Sequence, residues 1–382
     1  MQTLFLLLWA VRLSLAFAFD HGQDTILEAS ASRTFFYVGG GYADDGKSEH
    51  IYKDQMYVEK LVPVSAQEQR FPPIVLIHGQ AQTGTNWLNK PDGGIGWASR
   101  FLEEGRNVYI VDQTFRGRSP WFPGAGAATP STYSAEYIQQ RFTAPQDYDL
   151  WPQAGLHTQW PGPGVIGDEV FDNFYSSNVQ FIVNVTYQES TVQAAGTQLL
   201  DRIGEPVILI GHSQRGLMPP LIADARPSLT AGIILIQPSG PPFQDAVFST
   251  NSTRPWGLTD IPLTYSPAVT DPATDLVKQV YPPPVANTNN STVPCILQAR
   301  EPPPRTLSNL ASKPILIVTS EASYHAPYDY CTAEFLRQAG CARTEQVELE
   351  KVGIRGNGHM MFLERNSDEI WEVLRGWIGR AV

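Results

Sequence analysis

The chain has 382 residues, of which 42% are hydrophobic and 17% are charged. This composition is typical of a globular protein with a large core, and it favours one α/β domain with an elaborated insertion over two independent domains. The net charge is −11, and the 27 lysines and arginines form no basic run. Nucleic acid and anionic membrane surfaces are therefore excluded as expected partners, because both require a concentrated basic face.

The N-terminal 18 residues are predicted to be a secretory signal peptide. The apolar stretch Leu4–Ala18 is too short to span a bilayer stably and ends in the cleavage-site-like Ala16-Phe17-Ala18. An uncleaved anchor and a buried N-terminal segment are the alternatives. Residues 19–382 would then be extracellular or in the secretory pathway, with no membrane contact after cleavage. Sequons agree with secretion, and they predict glycosylation at Asn184, Asn251, Asn289 and Asn290.

The first half of the chain alternates strand and helix patterns. Alternating apolar residues in Arg33–Tyr37 and Ile51–Lys60 predict a β-hairpin, and the apolar run Ile74–Ile77 predicts a buried parallel strand. A helical pattern follows over Gly96–Glu104, and another buried strand is predicted at Val108–Val111.

The second half continues the alternation. A mostly parallel sheet with right-handed connections is expected, so the predicted fold class is α/β. The predicted elements are helix Tyr187–Ile203, strand Pro206–Ile210, helix Leu217–Ala225, strands Ile233–Ile236, Ile315–Val318 and Val347–Leu349, and helix Asp368–Ile378.

Two long segments, 114–167 and 238–304, do not fit this alternation. The first is rich in Pro, Gly, Trp and Tyr, and the second contains the proline clusters Pro282–Pro284 and Pro302–Pro304. Loops of this length in a compact domain are usually functional or disordered. The aromatic content of the first favours a folded cap or pocket wall.

The three cysteines, Cys295, Cys331 and Cys341, are too few for a disulfide scaffold and lack the spacing of a metal site. We expect no metal and no cofactor. Cys331 and Cys341 would bridge the two ends of one helix-loop segment in an oxidising compartment, with Cys295 free or paired between chains. Three buried thiols are an equal alternative.

The strand Pro206–Ile210 runs directly into the sequence GHSQRG at 211–216. This order predicts a nucleophile elbow, the strained strand-to-helix turn that exposes a serine Oγ and needs small residues two before and two after the serine. Gly211 meets the first requirement around Ser213, whereas Arg215 departs from the second. The sequence therefore has the architecture of a serine hydrolase and a reason to question its chemistry.

The partners of a serine nucleophile are also found in the expected chain order. His359 follows the last predicted strand, where this type of enzyme places its general base. Gly79 follows the strand that ends at Ile77, so its loop and the backbone N–H of Gln214 are candidate oxyanion donors. His325 lies near the candidate acids and is a candidate pocket-lining residue.

Five runs of sequence, spread over most of the chain, carry a specific resemblance. They resemble a family of secreted or periplasmic α/β-hydrolase esterases, and this implies one α/β-hydrolase domain over 19–382. In that family the acid is a glutamate at the end of the strand after the elbow helix. The matching position here is Gln237. The five runs are 74–121, 211–216, 233–243, 315–340 and 356–367.

Gln237 and Arg215 are thus two degenerate positions. A neutral amide does not stabilise the imidazolium that forms when the base takes the serine proton, and an amide in place of the acid costs about 10⁴ in turnover in the serine-protease example. Glu321 follows the strand Ile315–Val318, the position most α/β hydrolases use for their acid, and Asp329 comes soon after. Either carboxylate is an alternative partner of the base.

Two functional hypotheses follow. In the first, which the departures at Arg215 and Gln237 favour, a pseudo-hydrolase binds a small aromatic or phenolic ligand without turning it over. This combination resembles hydrolase-like auxiliary proteins of fungal polyketide pathways, which implies a secreted multicopper oxidase or laccase as partner and a role in the stereochemistry of phenol coupling. In the second, an active carboxylic ester hydrolase uses Ser213, His359 and Glu321. A structural or adhesion domain is not favoured, because no repeat pattern is found.

Overall fold

A computed structural model describes residues 28–64, 71–122, 129–213, 217–283 and 291–382. Several predictions lie outside these ranges: the signal peptide over 1–18, the elbow residues Gln214 and Arg215, and the sequons at Asn289 and Asn290. Within these ranges, no helix combines the length and the apolar character that a membrane span requires.

The main sheet has eight strands within the described residues and the order β1-β2-β4-β3-β5-β6-β7-β8. The antiparallel hairpin β1–β2 pairs antiparallel with β4, and the strands from β4 to β8 pair in parallel. The predicted α/β class is therefore confirmed. The strands are β1 Ala31–Asp44, β2 His50–Pro63, β3 Ile74–Ile77, β4 Val108–Asp112, β5 Val207–His212, β6 Thr230–Ile236, β7 Ile315–Thr319 and β8 Thr344–Glu348.

Helices cover both faces of this sheet. Helices α3, α4 and α5 pack on the face of Val75 and Ile77, whereas α1, α2 and α6 pack on the opposite face, with Ile74 and Leu76. The two-residue alternation of side chains along a strand therefore divides the core into two layers. The helices are α1 Trp97–Glu103, α2 Glu169–Ser176, α3 Val185–Ile203, α4 Met218–Ala225, α5 Asp329–Gln338 and α6 Ser367–Ala381.

Local chemistry sets the ends of the long helix α3. The Asn184 side chain accepts a hydrogen bond from the backbone N–H of Tyr187 at 3.0 Å, so the helix begins at Val185, two residues before its predicted start. Gly204 ends it in the left-handed conformation, with φ 75°. Asn184 and Asn251 are both exposed, and their glycosylation remains a prediction.

The two predicted cap segments are folded over most of their described length, and they meet each other. The Trp151 ring of the first segment lies edge-on against Phe248 of the second, with ring centroids 6.0 Å apart. The Trp151 indole N–H also donates to the carbonyl of Ala322, at 3.1 Å, which ties the first segment to the loop after β7. The remaining short helices and paired strands are Ala135–Ile138, Pro272–Asp275, Pro130–Ser131 with Phe181–Ile182, Tyr265–Ser266 with Thr306–Leu307, and Lys278–Tyr281 with Cys295–Gln298.

The predicted Cys331–Cys341 disulfide is wrong. Cys331 is bonded to Cys295, with the two Cα atoms 5.3 Å apart, and Cys341 is a buried free thiol. The strand Cys295–Gln298 packs against α5, which brings together two cysteines that are 36 residues apart in sequence. Packing of the second cap segment on the helix therefore decides the pairing.

Candidate active site

Ser213 lies directly after β5 in a left-handed backbone conformation, with φ 64°. This conformation is rare for residues other than glycine and is a form of local strain that concentrates at functional sites. The residue is 4% exposed and borders a cavity that is partly open to solvent. The strained serine at the end of a buried parallel strand has the backbone geometry expected for the elbow.

Gly79 brings the loop after β3 against the serine. A Cβ atom at this position would lie 3.1 Å from the Ser213 Cβ and 2.8 Å from the His212 Nδ1. Any side chain here would push the loop away, so the glycine allows the close approach. The loop therefore lies where an oxyanion donor is needed, and the donor role of Gly79 and Gln214 remains a prediction.

His359 is brought to the serine by the loop before α6. Its Nε2 lies 2.7 Å from the Ser213 Oγ. The buried Glu364 carboxylate fixes this loop by accepting from the Gly358 backbone N–H at 2.9 Å and from the Asn357 side chain at 2.7 Å. On the other side, the His212 Nε2–H donates to the His359 carbonyl at 3.0 Å. The backbone that carries the imidazole is thus hydrogen-bonded on both sides of His359.

Gln237 occupies the position of the orienting acid. It follows β6 with φ 47°, and its Oε1 lies 2.6 Å from the His359 Nδ1. The hydroxyl of Ser323 donates to the same oxygen at 2.9 Å, whereas the buried amide nitrogen of Gln237 has no hydrogen-bond partner among the described residues. The Nδ1 must then carry the proton, so the Nε2 is free to accept the Ser213 proton. Gln237 therefore selects the tautomer a general base needs but adds no negative charge.

The structure does not place Glu321 beside the imidazole. Its carboxylate pairs with Arg355 at 2.8 Å and accepts from the Gly356 backbone N–H at 2.9 Å, so it braces the start of the His359 loop. Asp329 is engaged by His325 instead. Among the described residues, no carboxylate lies within hydrogen-bond distance of His359. Ser213, His359 and Gln237 are thus brought together, and Glu321 is not.

The electrostatics of the site keep His359 neutral. Burial lowers the pKa of His359 well below the usual value, and the neighbouring rings of His212 and His325 lower it further. A carboxylate partner would oppose this shift by favouring the protonated form. A base with a pKa far below neutral accepts a proton weakly in the transition state, which limits general-base catalysis.

The cavity beside Ser213 has a volume of about 200 Å³. Six of its fifteen lining residues form an aromatic wall: Tyr133, Tyr137, Phe142, Phe248, Tyr324 and Tyr328. The Tyr324 hydroxyl lies 3.3 Å from the His359 Nε2, and its side chain lines the cavity together with Ser213. Burial raises the pKa of Tyr324 well above its usual range, so this hydroxyl stays protonated and can donate.

Two features around this cavity were not predicted from the sequence. Sequence reasoning did not identify Tyr324 as a neighbour of the nucleophile, and it treated Asp329 as a candidate acid for His359, not as the partner of His325. The segment SEASYHAPYD at 320–329 did carry a signal, since it concentrates polar and aromatic residues directly after the predicted strand β7. His325, considered as a pocket-lining residue, does line the cavity.

Comparison with known proteins agrees with this geometry. Residues 74–373 match the model of the alpha/beta hydrolase family. The chain belongs to that family. A protein of Fungal sp. (strain ATCC 74256) named "Probable secreted lipase phiG" is 46% identical over 345 residues, which span 90% of this chain and 89% of that protein.

A solved structure of a bacterial esterase has the same fold. It superposes with a TM-score of 0.61 at 21% sequence identity and covers 92% of this chain and 96% of the esterase chain. The predicted alpha/beta hydrolase fold, with its mostly parallel central sheet flanked by helices, is therefore confirmed.

Proposed function

We propose that this alpha/beta hydrolase is a ligand-binding protein with impaired ester hydrolysis. The observation that carries the proposal is the neutral amide of Gln237 at 2.6 Å from the His359 Nδ1, where a hydrolase needs a carboxylate. Proton transfer from Ser213 would leave an imidazolium that is buried and not balanced by a charged partner. The transition state is therefore poorly stabilised, although the atoms are in place.

The ligand we propose is a small aromatic molecule. The aromatic wall favours a flat ring through stacking and edge-to-face contacts. The volume of about 200 Å³ is below the usual range for drug-sized ligands but exceeds the ~150 Å³ of an engineered apolar cavity that binds benzene. One or two rings fit this space, whereas a long acyl chain would have to extend outside it.

We further propose that the protein is secreted and steers the coupling of a phenolic ligand by a secreted multicopper oxidase or laccase. Secretion is supported by the predicted signal peptide and by the name of the 46% identical relative, a probable secreted lipase. Steering requires only that the cavity hold one face of the monomer better than the other. A difference of about 1.4 kcal/mol between competing transition states gives a tenfold ratio of products.

One pair of assays tests the proposal. Hydrolysis of short-chain and aryl esters is measured with the wild-type protein and with Ser213→Ala, and we expect equal, low rates. The enantiomer ratio of a laccase-catalysed phenol coupling is then measured with and without the protein, and we expect a shift. A wild-type turnover that Ser213→Ala abolishes contradicts the impairment, and an unchanged ratio for all monomers contradicts the steering role.

A carboxylic ester hydrolase is the second candidate function. A specific observation favours it: the amide oxygen of Gln237 holds His359 in the productive tautomer, with its Nε2 2.7 Å from the Ser213 Oγ. The name of the fungal relative points the same way. An acyl-enzyme trapped on Ser213 and then released, as observed by mass spectrometry, would establish this function over the first.

A further inference from the structure

A second histidine–carboxylate pair lies next to the candidate catalytic residues. The His325 Nδ1–H donates to the Asp329 Oδ1 at 3.1 Å, and the other carboxylate oxygen of Asp329 accepts from the Thr319 hydroxyl at 3.0 Å. The side chains of His325 and Asp329 are 2% and 0% exposed. This pair has the carboxylate that His359 lacks.

The ring of His325 borders the same cavity as Ser213. It lies parallel to the His359 ring, with centroids 4.8 Å apart and an interplanar angle of 7°. The bond to Asp329 fixes the proton on Nδ1, so the Nε2 is a hydrogen-bond acceptor. This Nε2 is buried and has no hydrogen-bond partner in the described part of the chain. A buried acceptor without a partner costs free energy unless a ligand satisfies it.

We propose that the His325–Asp329 pair binds the hydroxyl group of a phenolic ligand in this cavity and accepts its proton. The phenol O–H donates to the His325 Nε2 while the ring stacks within the aromatic wall. This proposal rests on the proposed function, because it specifies the chemistry of the ligand for that same cavity.

The proton transfer balances without any further reactant. The phenolic O–H bond breaks, its electron pair remains on the oxygen, and a new N–H bond forms at the His325 Nε2. The product is a phenolate beside an imidazolium, and the Asp329 carboxylate compensates the positive charge. A phenolate is more easily oxidised than the phenol, so the bound ligand would be prepared for one-electron oxidation by a separate enzyme.

Asp329 is the group that compensates the positive charge on His325, because the other titratable groups around the ring are neutral or have a partner of their own. His359 stacks on it and is neutral, because burial lowers its pKa. Tyr324 and Tyr328 pack on the ring and stay protonated, since burial raises the pKa of both hydroxyls. Arg254 also borders the cavity and pairs with Asp245 at 3.2 Å.

The test uses 4-nitrophenol as the probe, because its anion absorbs visible light and reports its own protonation. The wild-type protein should bind the probe and lower its apparent pKa relative to free solution. His325→Gln, whose amide can still donate to Asp329, should weaken binding about tenfold and remove the shift. Asp329→Asn, which keeps the volume but removes the charge, should remove the shift as well.

A matched control tests whether the effect belongs to this site. His50→Gln carries the same substitution at an exposed position on the hairpin and should bind like the wild type. If the wild-type protein binds the probe but leaves its pKa unchanged or raises it, the proposal is overturned. This result does not depend on whether the variants fold. Unchanged affinity and pKa in a folded His325→Gln also overturn it.

Failure of the phenol site can be distinguished from failure of the proposed function. Probe binding that depends on His325, without any effect of the protein on laccase products, refutes the steering role and leaves this site standing. Steering of the products together with probe binding that ignores His325 refutes only the phenol site.

Discussion

At Gln237, an amide nitrogen stands in place of one oxygen of the carboxylate that a catalytic triad contains. The exchange keeps the geometry of the triad and removes its negative charge. A glutamate has almost the same shape, so the contact with the His359 Nδ1 and the hydrogen bond from Ser323 survive the change to an amide. In the serine-protease example, the amide costs about 10⁴ in turnover partly because it selects the wrong tautomer. With the amide oxygen toward His359 the tautomer is the productive one, so the missing charge would be the main cause of the proposed impairment.

We predict that Gln237→Glu increases ester hydrolysis at least tenfold. The carboxylate would stabilise the imidazolium in the transition state and raise the pKa of His359 toward the neutral range. The measurement is the rate of 4-nitrophenyl acetate hydrolysis as a function of pH, with a pH-rate profile whose lower limb reports His359.

The control for this prediction is Gln237→Glu combined with Ser213→Ala, which should lose the entire gain. If the single variant is folded and no faster than the wild type, the missing charge is not the limiting defect. Arg215 would then be the next position to change.

The residues of the site could be predicted from the sequence where they follow a strand. Ser213 and His359 each come at a fixed point in the strand-helix order, and the parallel sheet brings such points together at one edge. The position of Gln237 was implied by the family resemblance, whereas the strand order pointed to Glu321. Tyr324 and the pairing of His325 with Asp329 could not be predicted in this way. Their positions depend on how the loop after β7 folds against the cap, and that packing has no periodic signal in the sequence.

At the scale of elements, the disulfide joins the second cap segment to the body of the protein. Cys295 belongs to a cap strand and Cys331 to α5, which packs on the main sheet. The sequence did not reveal this pairing, because three cysteines allow several pairs and only tertiary packing selects one.

We predict that removal of the disulfide by Cys295→Ala lowers the free energy of unfolding by about 4 kcal/mol, from the entropy of closing a loop of this length. Urea unfolding measures the loss. In the folded wild type, alkylation should leave Cys341 unmodified, because burial raises the pKa of its thiol to about 12. Unfolding without reductant should then expose one reactive thiol, and a peptide that links Cys331 to Cys341 would contradict the assignment.

Arg141 forms a second connection between elements, because its guanidinium lies between rings of the two cap segments. It is 3.6 Å from the Tyr137 ring centroid in the first segment and 4.2 Å from the Phe248 centroid in the second. A cation between two aromatic faces contributes about 0.5–2 kcal/mol per contact. Both rings border the cavity, so this contact holds two of its walls together.

We predict that Arg141→Ala loosens the cap and weakens binding of an aromatic probe severalfold, while the sheet stays intact. Hydrogen exchange should become faster in residues 244–252 and remain unchanged in β5 and β6. Arg141→Lys keeps the charge but loses the planar stacking, so it should lie between the wild type and the alanine variant. Equal exchange rates in all three proteins would show that the cap does not depend on this contact.

At the scale of the whole molecule, the fold was predictable because each layer has its own sequence period. The inner strands β3 to β7 are buried from both sides and read as continuous apolar runs, whereas the covering helices have the helical period. The boundaries were less predictable. Strand β8 spans Thr344–Glu348 instead of the predicted Val347–Leu349, and Leu349 already belongs to a 3-10 turn, because an edge strand lacks a continuous apolar run.

The buried core of this molecule also contains histidines that remain neutral, which makes the fold sensitive to acid. His78 donates from Nδ1 to the Gly79 carbonyl at 2.8 Å and accepts at Nε2 from the Gln113 backbone N–H at 2.9 Å. Burial, reinforced by the charge of Arg116, lowers the pKa of His78 to about 4. The unfolded chain has the ordinary value of about 6.5 and takes up a proton first as the pH falls.

We predict that this difference destabilises the native state below pH 6.5. The stabilising contribution is complete above the unfolded pKa and is lost as the pH falls toward the native pKa, at about 1.4 kcal/mol per pH unit for one histidine. Between pH 7.5 and pH 5, His78→Gln should therefore lose about 2 kcal/mol less than the wild type in urea unfolding. His50→Gln, at an exposed position, should show the wild-type dependence. Parallel pH curves for His78→Gln and the wild type would mean that another group controls the acid sensitivity of the fold.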